Sequence, residues 1–268
     1  MKLFTILDKA WTAFWSNKKY LILTILVDFL FIFALAQIHL VYFLPSAQAM
    51  TKVAEAMSKT MQELPATEVV NLDSLLRENP DFMYAYRSLL TNIVLFFLSC
   101  FAAWLVFKTF AWYLTQKSIY KKLPLGNFAL KFVLLSLFWF AILLAVILGY
   151  FGIVGQRILP LIGETLSTAL MITLIVAVSY FANISFSLIP AQETFKKTFI
   201  YSVKHAKTIV PAYLVNVLLL FVTLSLPLTL LATKSMLGLA IIILITLPSL
   251  AFARINMVVA TWLSVKSS

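Results

Sequence analysis

An all-α fold is what this sequence predicts: a polytopic transmembrane bundle of six spans with amphipathic helices at the cytoplasmic interface. Three observations carry that expectation. Six apolar runs are each long enough to cross a bilayer, which takes roughly 20 residues at about 1.5 Å rise apiece. Only 12% of the 268 residues are charged and 62% are hydrophobic, with a mean hydropathy of +0.99, where a soluble domain carries about 25% charged residues. Lysines gather beside alternate runs rather than being spread evenly. The runs leave little chain for a soluble domain, so 1–268 reads as one membrane domain.

The elements follow in order. Residues 1–19 form an amphipathic interfacial helix, because Leu3, Phe4, Leu7, Ala10, Trp11, Phe14 and Trp15 recur at helical spacing with Lys2, Asp8, Lys9 and Lys18 largely elsewhere. It is expected to lie against the membrane. A cleaved leader is the rival reading, since Ala47-Gln48-Ala49 resembles a peptidase site, but the apolar region is overlong and contains Asp28. Span 1 covers 20–44 and is expected to stop at Pro45, which cannot donate a helical hydrogen bond.

Residues 45–87 read as an extracytoplasmic helical loop. Met50, Val53, Ala54, Met57 and Met61 make one apolar stripe, and Leu72, Leu75 and Leu76 suggest a second short helix. Span 2 covers 89–114 and ends at Trp112 and Tyr113, taken as interface anchors like the other aromatics near span ends. After a basic connection come span 3 at 132–153, span 4 at 166–188, a basic interfacial helix at 193–207, span 5 at 209–231 with Pro227 inside it, and span 6 at 236–265, which Pro248 is expected to kink. Gly149, Gly152 and Gly155 share one face and suggest a close approach of spans 3 and 4.

Charge sets the orientation. The amino-terminal leader, the second and fourth connections and the tail hold most of the lysines, and the opposite connections hold few. Positive residues stay inside, so both termini are expected in the cytoplasm of a multi-pass cell-membrane protein. The formal charge of +11 then reads as complementarity to anionic headgroups, with Lys9, Lys18, Lys19, Lys121, Lys122, Lys196, Lys197, Lys204 and Lys207 as the contacts. Nucleic acid is not an expected partner, because these lysines flank membrane spans. A protein partner or a second copy of the chain is left open.

The sequence also carries a faint repeat. Lys9-Ala10-Trp11 through Lys19-Tyr20-Leu21 lines up with Lys197-Thr198-Phe199 through Lys207-Thr208-Ile209, each a basic helix feeding a span. Residues 119–132 look like a shorter relative, which would make three units of interfacial helix plus transmembrane hairpin.

Ionisable groups inside spans are costly and mark sites. Asp28 lies roughly 12 Å into span 1, and counting from the interface places Lys108 and Arg254 near the same level. Asn183, Asn216 and Asn256 fall within about a turn of it. Helical side chains tilt toward the amino end, so Asp28 leans toward the cytoplasm while Lys108 and Arg254 lean toward the centre. Asp28 is therefore their natural partner, with Asn183 and Asn216 expected to fill the remaining hydrogen bonds. Arg254 suits a bidentate carboxylate better than Lys108, and Trp104 and Trp112 offer Lys108 a cation–π cradle instead. A clamp fixing helix register is the first reading of the layer, and a polar cavity for a solute, ion or headgroup is the second.

No catalytic or metal motif emerges. His39 and His205 lack neighbours at ligand spacing, no cofactor is implied, and Ser185 and Ser187 have no local base and are expected to bond the preceding helical turn. The single cysteine, Cys100, cannot form an intrachain disulfide.

Finally, the segment from Ile189 and Pro190 through Glu193, Lys196, Lys197 and Ser202 into span 5 resembles a recurrent piece of some polytopic families. Among them are uncharacterised six-span proteins and the membrane domain joined to certain glycerophosphodiester phosphodiesterases. There a proline closing one span precedes an acidic residue, a basic helix with a serine, and the next span. The aromatic often found after that serine is Val203 here. The resemblance implies membrane architecture and no hydrolysis, since the apolar runs leave no room for a phosphodiesterase domain. A non-enzymatic membrane-organising or partner-binding protein is thus the expectation, with a transporter or channel built on the charged layer as the alternative.

Overall fold

A computed structural model describes residues 3–63, 79–120, 122–150, 152, 159–191, 193–232 and 236–266. Every regular element among them is helical: α1 (Leu3–Ser16), α2 (Lys18–Ile38), α3 (Leu44–Glu63), α4 (Pro80–Ile119), α5 (Leu125–Gly149), α6 (Leu159–Ser187), α7 (Thr194–Lys204), α8 (Ala206–Ala232), α9 (Met236–Ile241) and α10 (Leu247–Lys266), with π-helical turns at His39–Phe43 and Ile242–Thr246. Six helices among the described residues are long and apolar enough to cross a bilayer. The protein is a multi-pass membrane protein with an all-α bundle.

Proline did not end span 1. The helix runs from Lys18 through Pro45 to Glu63. A proline ring collides with the carbonyl four residues back and leaves it without a donor. Here the π-turn widens the coil just before the ring: Leu44 N–H bonds His39 O, five residues back, and Ser46 Oγ donates to Tyr42 O at 2.6 Å. Span 6 uses the same device. Leu247 N–H bonds Ile242 O immediately before Pro248, and Thr246 Oγ1 donates to Thr223 O of α8 at 2.7 Å. Each site reads Leu-Pro-Ser behind a π-turn, a single-turn bulge of the kind that absorbs an extra residue. The helix of span 5 likewise continues past Pro227.

The chain forms two compact units, Leu30–Phe107 and the remainder. The first is an antiparallel helical hairpin in which Phe31 meets Phe107 and Phe43 meets Phe96, with Ala49, Phe82 and Ala85 buried. Its helices are far longer than the expected spans 20–44 and 89–114. The 40 residues of α4 measure about 60 Å against roughly 30 Å of hydrocarbon. The second expected loop helix, around Leu72, lies outside the described residues.

The other unit is built around α10. More than half of its span, 56%, is buried, against at most 22% in any other. On one side the α1 stripe of Ile6, Ala10 and Phe14 joins Ala251, Ile255, Val259 and Leu263 in one apolar cluster. Those four α10 positions recur every fourth residue, a single face. So α1 is seated on α10 by its inner face while Phe4, Trp11 and Trp15 stay exposed. Trp112, Tyr113 and Trp139 are buried rather than interfacial; Trp112 packs on Phe186, Tyr113 on Phe128 and Trp139 on Phe181.

Two of three expected repeats are present. Both α1 and α7 end at a single-residue hinge, Asn17 and His205, whose carbonyl accepts from the amide four residues on, Leu21 at 3.1 Å and Ile209 at 3.0 Å. At that one register Ile6 falls on Thr194, Ala10 on Thr198, Phe14 on Ser202, Leu21 on Ile209 and Thr24 on Ala212, and all ten are buried. Among the described residues the middle unit shows no separate helix: residues 122–124 are non-helical and α5 opens at Leu125, seven residues before the expected span 3.

Two glycine expectations need revision. A Cβ on Gly149 or Gly152 would meet nothing within 4 Å, so neither marks a close approach, and Gly155 lies outside the described residues. The glycine that matters is Gly163, at φ 75° and ψ 162°, which bends the start of α6 before Thr165. Only glycine adopts that conformation freely. Gly163→Ala, although sterically open, should therefore lower stability by about 1–3 kcal/mol in thermal unfolding of the detergent-solubilised protein, whereas Gly149→Ala should be neutral or slightly stabilising.

Candidate functional site

The charged layer assembles around one carboxylate. Asp28, on α2, is 1% exposed and Arg254, on α10, is 7% exposed. Arg254 Nη2 donates to Oδ2 and Nη1 to Oδ1 at 3.3 Å, so the guanidinium engages both oxygens. Lys108 Nζ, from α4, donates to the same Oδ1 at 2.9 Å. The choice between arginine and lysine is thus resolved as both. Arg254 takes the two-oxygen grip its planar fork is shaped for, and lysine adds a point charge from the side.

The asparagines do something other than complete this layer. Asn216 of α8 donates to Ala253 O of α10 at 2.9 Å, and Asn256 of α10 donates back to Ala212 O at 3.1 Å and to Asn216 Oδ1 at 2.8 Å. The exchange is reciprocal and wholly buried. Asn183 uses its amide within its own helix, on Ser179 O at 2.8 Å and Ser179 Oγ at 3.3 Å. Neither Asn183 nor Asn216 bonds Asp28 or Arg254. Which way each helix faces decides the partners.

Residues 254 and 256 are two apart, roughly 200° around a helix of 3.6 residues per turn. The Asp28 grip and the Asn216 grip therefore hold α10 from nearly opposite faces. Under the register that superposes α1 on α7, Asp28 coincides with Asn216. Equivalent positions of two repeated units thus clasp one central helix, once by charge and once by amide.

Several further braces escaped the sequence reading. Gln116, 0% exposed, donates to Phe186 O, and Trp139 Nε1 donates to Ser185 Oγ at 2.8 Å. Lys131, expected in a connection, lies in α5 and reaches Ile189 O at 3.3 Å and Ala191 O at 3.4 Å. Both carbonyls lie in the turn just beyond the end of α6, where the helix dipole favours a cation. Ser185 and Ser187 do bond the preceding turn, to Ala182 O and Asn183 O. Three polar atoms, Arg254 Nε, Gln116 Oε1 and Asn256 Oδ1, are buried without a partner among the described residues.

The basic helices have a definite facing. On α7 the inward row is Thr194, Thr198 and Ser202, anchored where Tyr180 donates to Ser202 O at 2.9 Å and where Thr194 Oγ1 reaches Ala191 O at 3.2 Å. Phe195, Phe199, Ile200 and Val203 are exposed, as are Lys196, Lys204 and Lys207. Phe195 and Phe199 also lean on Phe138 and Trp139. Lys9, Lys18, Lys19 and Lys122 are exposed, Lys197 is half-buried, and Lys121 lies outside the described residues. At the α7–α8 hinge, His205 stacks on Tyr201, and burial and then Lys204 hold its pKa below the usual histidine value.

Comparison with family models, curated proteins and solved structures returns no match. The site stands on its own geometry.

A buried ion pair that loses one member leaves an uncompensated charge, at about 3–5 kcal/mol. Asp28→Asn strands two cations and should cost about that much in thermal unfolding, with a fall in folded yield. Lys108→Met removes only the second cation and should stay within about 1 kcal/mol of the parent. Equal losses in the two variants would contradict this ranking.

Proposed function

We propose that this chain is a non-enzymatic, multi-pass protein of the cell membrane, with both termini cytoplasmic, whose basic helices hold anionic lipid and which serves as a membrane-organising or partner-binding component. The observation that carries the reading is the facing of α7. A helix docked on a protein core would turn its phenylalanines, isoleucine and valine inward. Here hydroxyls face the bundle while Ile200 and Val203 are exposed among exposed lysines, and Phe199, although it leans on Trp139 and Phe181, stays half exposed. An apolar outer row flanked by cations suits the boundary between acyl chains and anionic headgroups.

Three features weigh against the other classes. A transport reading drew on proline-broken helices, and both Pro227 and Pro248 lie in continuous helix. A carboxylate 1% exposed and gripped by two cations leaves a solute no surface to bind and fits a brace better. The Ser185 hydroxyl donates to Ala182 O and accepts from Trp139, an occupied group rather than a nucleophile beside a base.

The test is lipid-dependent stability. Adding phosphatidylglycerol to the detergent-solubilised protein should raise its melting temperature, and phosphatidylcholine should not. Reversing Lys196, Lys197, Lys204 and Lys207 to glutamate should abolish the difference. An undiminished phosphatidylglycerol response in that variant would remove the lipid reading.

A further inference from the structure

We infer that α1 and α7 are two copies of one lipid-binding foot, and that the chain grips an anionic phospholipid leaflet at two points rather than at α7 alone. The inference rests on the lipid reading above and goes beyond it by making α1 and α7 structurally equivalent copies of one unit, each with its own lipid contact. The register that matches the buried rows also matches the outer ones. Trp11 falls on Phe199 and Trp15 on Val203, all four exposed. Lys9 falls on Lys197 and Lys19 on Lys207, on either side of hinges that themselves coincide. Chance similarity between amphipathic helices would not align the buried row, the hinge, the exposed row and the flanking lysines at one shift.

Topology puts both feet at one membrane face, because α1 precedes the first crossing and α7 the fifth. Both also touch α10. Charge names the occupant: Lys2, Lys9, Lys18 and Lys19 against Asp8 at the first foot, and Lys196, Lys197, Lys204 and Lys207 against Glu193 at the second. The exposed aromatic and aliphatic row runs on into the exposed apolar side chains of the spans, Ile22 and Leu26 on α2 and Leu214 and Leu218 on α8. A soluble anion would satisfy the lysines and leave that row in water; a phospholipid satisfies both. The two feet take separate lipid molecules, so their contributions to the protein's lipid preference add.

The experiment uses the full chain reconstituted in phosphatidylcholine vesicles doped with spin-labelled phosphatidylglycerol, reading the protein's preference for the labelled lipid over labelled phosphatidylcholine. Three variants are compared: Lys9→Gln with Lys18→Gln and Lys19→Gln; Lys196→Gln with Lys197→Gln, Lys204→Gln and Lys207→Gln; and both sets together. Each single-foot set should remove about half of the preference for the labelled phosphatidylglycerol, and the combined set nearly all of it. Excess soluble glycerol phosphate should not compete. Loss confined to the α7 set, with the α1 set unchanged, overturns the two-foot inference and leaves the lipid reading intact. No loss in any variant overturns both, and competition by glycerol phosphate overturns the lipid as occupant.

Discussion

One carboxylate organises the larger unit of this protein. Asp28, Arg254 and Lys108 each lie within a membrane-spanning helix, where a lone charge is costly; neither cation can be buried there without Asp28, nor Asp28 without Arg254. Taken together they join α2, α4 and α10 at a point. Interhelical packing between apolar side chains in a bilayer has little hydrophobic driving force, because lipid tails are as apolar as leucine. Polar contacts that have no alternative partner therefore do much of the choosing. The Asn216–Asn256 exchange does the same on the opposite face of α10, at lower electrostatic stakes. Between them they fix both the rotation and the height of the central helix.

The backbone serves that placement. A proline within a helix removes one backbone bond and can kink or break it, and a break in span 6 would loosen the segment leading to Arg254. The π-turns at His39–Phe43 and Ile242–Thr246 keep both helices continuous. In span 6 the turn is further tied to α8 through Thr246 and Thr223, so the segment beside the proline is braced rather than loose. The α6 end shows the same economy: carbonyls left without helical donors are taken up by Gln116 and Lys131 from other helices.

Much of this was readable in advance, and the failures have physical causes. Span number and the Asp28–Arg254 pairing followed from run length, depth and the tilt of helical side chains, all properties of one helix at a time. Asn183 and Asn216 were assigned to the charged layer by depth alone, yet depth carries no azimuth, and each faces elsewhere. Pro45 misled because the rule for proline assumes four-residue bonding, while the five-residue bond that accommodates it leaves no residue-type pattern. Lys131 looked like part of a loop because charge was taken to mark a span boundary, whereas helix α5 starts earlier and uses the lysine on its neighbour's carbonyls. Trp112, Tyr113 and Trp139 are buried in an aromatic cluster that only the tertiary fold reveals. The repeat was visible as a faint alignment of lysines; its strength lies in the buried positions, which sequence similarity does not show since Ile6 faces Thr194 and Phe14 faces Ser202.

The central claim is that the Asp28–Arg254 pair, not general hydrophobic packing, sets the position of α10. A charge exchange tests it most directly. Asp28→Arg alone and Arg254→Asp alone should each give little folded protein, because each gathers like charges in a dry layer. The double exchange should recover a large part of the parent's folded yield and melting temperature. If the double variant is no better than the worse single variant, or if both single variants fold normally, the pair does not hold the helix and the account fails.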